Sequence, residues 1–216
     1  MILKKKFAKG EIFHVFNKSI ANYGIFNDLE NSRRFIDTLF YYNNKLEDES
    51  FSKFLKRKEN YHAENLLIAK DFPYIKFLCY CIMPDHYHLL VKIIEEDYFS
   101  KYISDVENSF TRFFNVKFER IGPLWQTSFK SVRIKSNEQL LHVHRYIHLN
   151  PTTSSLVDKP EDWTHSSYRD FISNPKFLRE IITEISIKNP DTYKRFVEDQ
   201  KDYQRKLTLI KKLLLD

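Results

Sequence analysis

Glycine is nearly absent, with three in 216 residues. Tight irregular loops and phosphate cradles need backbone conformations that only glycine adopts at low cost, so a P-loop nucleotide-triphosphate enzyme is excluded. Cysteine is as scarce. Cys79 and Cys81 stand two residues apart and cannot build a disulfide framework, which suits a reducing compartment. No apolar run approaches the ~20 residues a membrane helix requires, and "MILKKKFAKG" lacks the apolar stretch of a signal peptide. The expected location is cytoplasmic, with no membrane partner. Repeats and low-complexity segments are missing as well.

Aromatic and charged residues are plentiful. Nineteen Phe and thirteen Tyr accompany 42% hydrophobic and 30% charged residues, enough for a real core in one domain with an appendage. A net charge of +6 points only weakly to a polyanionic partner, but its location says more. Between positions 101 and 135 seven Lys or Arg stand against three acids, whereas from position 152 onward the tally is twelve to eleven. The excess sits mid-chain and in Lys4 to Lys6.

The order of elements follows from periodicity. Residues 11–19, "EIFHVFNKS", are aromatic and β-branched and read as a strand. A helix follows with Asp28 as N-cap and Leu29, Phe35, Ile36, Leu39 and Phe40 on one face. Residues 43–70 are charged and poorly patterned, a surface excursion with some helix. "FPYIKFLCYCIM" and "HYHLLVKII" form an antiparallel pair across the turn dipeptide "PD". A helix, the strand "FKSVRI" and a helix capped by Ser136 or Asn137 come next, the last ending near Asn150 before Pro151. Strand, helix, strand, strand, helix, strand describes an α+β ferredoxin-like sandwich, a central antiparallel sheet with helices on one face. The final helix is an addition to it. Residues 1–151 make that domain, and residues 152–216 a helical C-terminal extension.

His86 and His88 occupy i and i+2 of a strand, so they project from one face about 6.5–7 Å apart. Two neutral imidazoles suit Mn, Zn, Fe or Ni and leave most of the coordination shell open, as a catalytic ion needs. The plainer reading is two half-buried polar residues at a strand start. On the late helix "NEQLLHVHRYIHLNP", Tyr146 and Asn150 lie one turn apart on one face, where a third ligand oxygen from Asn150 would hold Tyr146 beside the ion. Here too a core tyrosine and a C-cap asparagine is the plainer reading. A zinc site from Cys79, Cys81, His86 and His88 is a further alternative, disfavoured because the parities of the adjoining strands converge poorly.

Taken jointly, "GEIFHVFNK", "CIMPDHYHLLVKI", "IGPLWQTSFKSVRI" and "YIHLNP" resemble the single-tyrosine transposases of the HUH superfamily, named for histidine, hydrophobic residue, histidine. "DWTHSSYRDF" and the context of "YIHLNP" resemble the branch of REP-associated tyrosine transposases most, and the likeness covers residues 10–170 in the family's order. The resemblance implies that His86 and His88 bind Mg or Mn, that Tyr146 is the nucleophile, and that Asn150 is the polar residue one turn after it. Asp85 departs from the pattern, where Asn is more usual. The implied activity is nicking and rejoining of single-stranded DNA at hairpin repeats through a covalent 5′-phosphotyrosine, by a monomer or a homodimer.

Candidate DNA contacts are Lys92, on the face of His88; Arg112; Trp125, which could stack on a base although a Trp beside Pro and Leu is more often core; and Lys130, Arg133 and Lys135 along the last strand. His14 stands where the family often has histidine, and a satisfied core histidine explains it equally. A catalytically silent protein that binds DNA hairpins is the competing function, and the intact set of His86, His88 and Tyr146 argues against it.

Overall fold

The computed structural model describes residues 7–45, 49–58, 61, 63, 65–68 and 71–201. The basic run Lys4 to Lys6 lies outside them. Four strands, β1 (Ile12–Lys18), β2 (Ile75–Ile82), β3 (His86–Ile93) and β4 (Lys130–Ile134), form one antiparallel sheet in the order β2-β3-β1-β4. With α1 (Leu29–Tyr42) after β1 and α3 (Phe99–Lys117) after β3, this is the ferredoxin-like arrangement. The short α2 (Phe51–Arg57) falls within the charged excursion.

Local chemistry sets the element boundaries. Asp28 accepts the Glu30 amide and starts α1, which buries Phe35, Ile36 and Leu39. Leu29, counted on the same face by its spacing, is 67% exposed. Pro84 and Asp85 close the β2–β3 hairpin, with the Met83 amide donating to the His86 carbonyl. Ser136 caps α4 (Asn137–Thr153) through the Gln139 amide. This helix does not stop at Asn150. Pro151 sits inside its last turn, where the Ser154 amide still reaches the Asn150 carbonyl at 3.0 Å, so the proline removes one bond without breaking the helix.

Alternation along the strands gives the sheet two dissimilar faces. Phe13, Val15, Tyr87, Leu89 and Val91 point toward α1 and α3 and are almost wholly buried, each stabilising by roughly 1.5–3 kcal/mol. His14, Phe16, His86 and His88 point the other way, toward α4. β2 is buried at nearly every position because both of its faces are covered, which explains its continuous apolar run. α5 (Tyr168–Ser173) and α6 (Pro190–Glu198) pack with α4, and Tyr168, Phe171, Tyr193 and Val197 join the same core.

Candidate active site

β3 starts at His86, directly after the hairpin turn, and the turn residue Asp85 lies against it. His86 Nδ1 is 2.5 Å from Asp85 Oδ1, and Lys18 Nζ holds the other carboxylate oxygen at 3.2 Å. A carboxylate at that distance accepts the Nδ1 proton, which leaves Nε2 as the lone-pair nitrogen. His88 is held the same way by a different group: its Nδ1 is 2.9 Å from His14 Nε2 on β1. Both rings are thus fixed through Nδ1 and retain Nε2, the arrangement by which ligating histidines are usually oriented. The His86 and His88 rings lie 5.0 Å apart and perpendicular.

Burial keeps these imidazoles neutral. It pulls His14 down to about 4 and His88 well below the ordinary value, with the neighbouring histidines adding to the effect on His88. His86 is lowered by burial, against the opposing pull of Asp85. Neutral imidazole is the form that binds a cation, so the pair fits a divalent ion.

α4 packs over this face and delivers Tyr146. Its ring centre is 5.5 Å from that of His88 and 6.0 Å from that of His14, edge-on to both. Burial raises the phenol pKa, and one turn further along α4 the Asn150 Nδ2 is buried with no hydrogen-bond partner. Tyr146, His86, His88, Lys18, Gln126 and Lys130 line one cleft of about 230 Å³. Lys18 and Gln126 escaped the sequence reading. Lys18 is the last residue of β1, and its backbone carbonyl receives the Gln126 amide, which brings the "PLWQ" loop to the cleft.

The family model for IS200-like transposases matches residues 49–150, a span that includes both histidines and ends on Asn150. That stretch of the chain is similar to the IS200-like transposases. A Haemophilus influenzae protein named as a REP-associated tyrosine transposase is 25% identical over 140 residues, which are 60% of this chain and 79% of that one. A solved structure described as a REP-associated tyrosine transposase bound to a REP hairpin superposes with a TM-score of 0.57 at 15% identity, covering 81% of this chain and 86% of the other.

The remaining candidates divide by position. Lys130 pairs with Phe16 in β4 and faces the cleft; Arg133 pairs with Phe13 on the opposite face and binds Glu11 at 2.5 Å. Their odd spacing separates them. Lys135 lies just past β4, beside Arg133 and Glu11 in a different depression. Lys92 shares the face of His88 but sits at the far end of β3, where Glu184 pairs with it at 3.2 Å and with Lys76 at 3.0 Å. Arg112 is on α3, beneath the sheet, among Tyr42, Tyr74 and Asp105. Trp125 is packed among Phe26, Phe35, Tyr87 and Phe110, and its indole N–H donates to Thr111 Oγ1 at 3.1 Å, so the ring serves the core.

The parity argument against a Cys–His zinc quartet is corrected by the register. Cys81 pairs with His88 and Cys79 with Leu90, so both cysteines share the histidine face. They still do not join the pair. Cys81 packs against Met83, and Cys79 lies with His144 and His148 of α4, all three buried, with ligand atoms within 4.8 Å of one another. His148 spends both nitrogens on Ser167 Oγ at 2.8 Å and Tyr193 Oη at 2.7 Å, which ties the tyrosine helix to the C-terminal segment. Among the described residues no helix is long and apolar enough to cross a membrane.

Proposed function

We propose that the chain is a metal-dependent transposase that nicks and rejoins single-stranded DNA at hairpin repeats, with Tyr146 as nucleophile. The observation that carries this reading is the meeting of Tyr146 with His86 and His88 in one cleft. Accessibility supports the choice of tyrosine: Tyr146 is 42% exposed, whereas Tyr87 and Tyr168 are 1% and 0%. The hairpin preference follows the relative whose solved structure holds one.

His86 and His88 would hold the cation through Nε2, with Asn150 one turn beyond Tyr146 as the neighbouring polar group. Mg or Mn bound there would offset the charge of the scissile phosphate and orient it. Lys18 and Lys130 bring further positive charge to the same cleft. The Tyr146 oxygen attacks phosphorus in line, the bond to the 3′ oxygen breaks, and that oxygen leaves with a proton as a 3′-hydroxyl. The 5′ phosphate remains on Tyr146 as an ester of comparable energy, so a 3′-hydroxyl can reverse the step without ATP. Residues 1–151 supply all of these groups. Of the C-terminal extension, residues 154–201 brace α4 from behind through Ser167 and Tyr193, which hold His148.

A 3′-labelled single strand incubated with Mg or Mn should give a protein–DNA band that survives denaturation, mapping to Tyr146. Tyr146→Phe should bind the strand as tightly as the parent and form no band. A band that persists in this variant would sink the assignment.

A further inference from the structure

His86 borders a second cleft, of about 320 Å³, on the side away from Tyr146. Asn22, Asn27, Met83, Pro84, Ser154 and Leu156 line it. Ser154 follows Asn150 by four residues and Tyr146 by eight, so one stripe along α4 runs from the first cleft to the second. A strand whose phosphate lies at His86 and Tyr146 would therefore place its neighbouring nucleotide here.

The lining chemistry selects among the parts of that nucleotide. No Lys or Arg lines the cleft, and its charged group Asp85 is committed to His86 and Lys18. The C-terminal end of α4, the negative end of its dipole, borders it as well. A phosphate is disfavoured on both counts. Two side-chain amides and a hydroxyl offer donors and acceptors to a ring edge, and Met83, Pro84 and Leu156 offer apolar surface to a ring face.

The walls are also built with care about backbone. Ala21 and Asn22 adopt left-handed conformations (φ 50° and 54°), as does Ser155 (φ 58°), although none is glycine. Conformations of this kind persist only where the surroundings enforce them. Here the Ser19 amide donates to the Asp85 carbonyl at 2.8 Å and the Phe26 amide to the Pro84 carbonyl at 2.9 Å, fastening the loop to the hairpin that carries His86. Asn27 rests against Gly24, where a Cβ would lie 2.1 Å from Asn27 Nδ2 and push that side chain aside. Asn27 is thus seated against bare backbone.

We propose that this cleft is a nucleobase pocket that receives the base adjoining the scissile phosphate and sets the sequence preference at that position. The proposal rests on the transposase reading above. Its test needs no catalysis. Tyr146→Phe protein is titrated with single strands of the cleaved sequence, each carrying one abasic site. An abasic site at one flanking position should weaken binding by about tenfold, the scale of one stacked or edge-read base. Asn22→Ala with Asn27→Ala, in the same background, should erase that penalty and leave abasic penalties elsewhere intact. Leu156→Ser, on the opposite wall and at an exposed position, should do the same without touching the loop. A flanking penalty unchanged in both sets overturns the pocket alone. A chain that neither binds nor cuts any strand overturns the transposase reading and the pocket together.

Discussion

His14 Nε2 and His88 Nδ1 share one hydrogen bond at 2.9 Å, and burial holds both rings neutral. That hydrogen bond fixes which nitrogen of His88 is left for a cation. His14→Ala should lower Mn affinity by roughly 10- to 100-fold, the usual cost of losing such a partner, with the circular dichroism spectrum unchanged. Titration calorimetry on DNA-free protein reads it, and an unchanged affinity removes His14 from the site. Glu107, on the other face of the sheet, makes a different prediction. Burial raises its carboxyl to about 7 from 4.5, outweighing the hydrogen bonds it accepts from Asn17 and Tyr87. The folded state therefore holds the proton more tightly than the unfolded one between those values, and stability falls as pH rises through that window. The slope reaches about 1.4 kcal/mol per pH unit. Glu107→Gln should flatten it, so that the variant gains on the parent between pH 5 and pH 8 in urea denaturation.

At the scale of elements, the loop 124–127 joins the two sides of the sheet. Its Trp125 ring lies in the aromatic cluster of α1 and α3, while Gln126 reaches the cleft. Trp125→Ala should cost about 3 kcal/mol of stability through the cavity it leaves, and the folded protein should keep its affinity for a single strand. A selective loss of DNA binding at unchanged melting temperature would return the ring to the DNA interface. Trp125 also shows where the sequence was silent. A tryptophan in "PLWQ" is more often core but can stack on a base, and the position of Phe26, Phe35, Tyr87 and Phe110 around it decides. The strand alternation that pairs His86 with His88, and the four-residue spacing that aligns Tyr146 with Asn150, were legible because they are local periodicities. Partners distant in sequence were not. His14 on His88, Lys18 on Asp85 and Glu184 on Lys92 depend on register and on which segment closes over a face. The continuation of α4 through Pro151 was hidden for a related reason, since the tertiary contacts of the helix outweigh the one bond that proline forfeits.

The whole molecule is organised around a sheet with a structural face and a chemical face. α1 and α3 close the first, and α4 closes the second, backed by α5 and α6. The segment after α4 does more than cover: the Ser167 hydroxyl and the Tyr193 phenol hold His148, two residues beyond Tyr146, and Glu184 pairs with the lysines at the far end of the same face. Because α4 lies on the sheet of its own chain, Tyr146, the proposed nucleophile, meets His86 and His88 within one polypeptide. That has a genetic consequence. A copy lacking Tyr146 and a copy lacking His88 have no intact site to share, so mixing the two purified proteins should restore no adduct, and expressing the dead copies together should complement nothing. An active copy should likewise tolerate a dead one in the same cell, losing ground only to competition for DNA. Recovery of adduct formation on mixing would mean that α4 can be exchanged between chains.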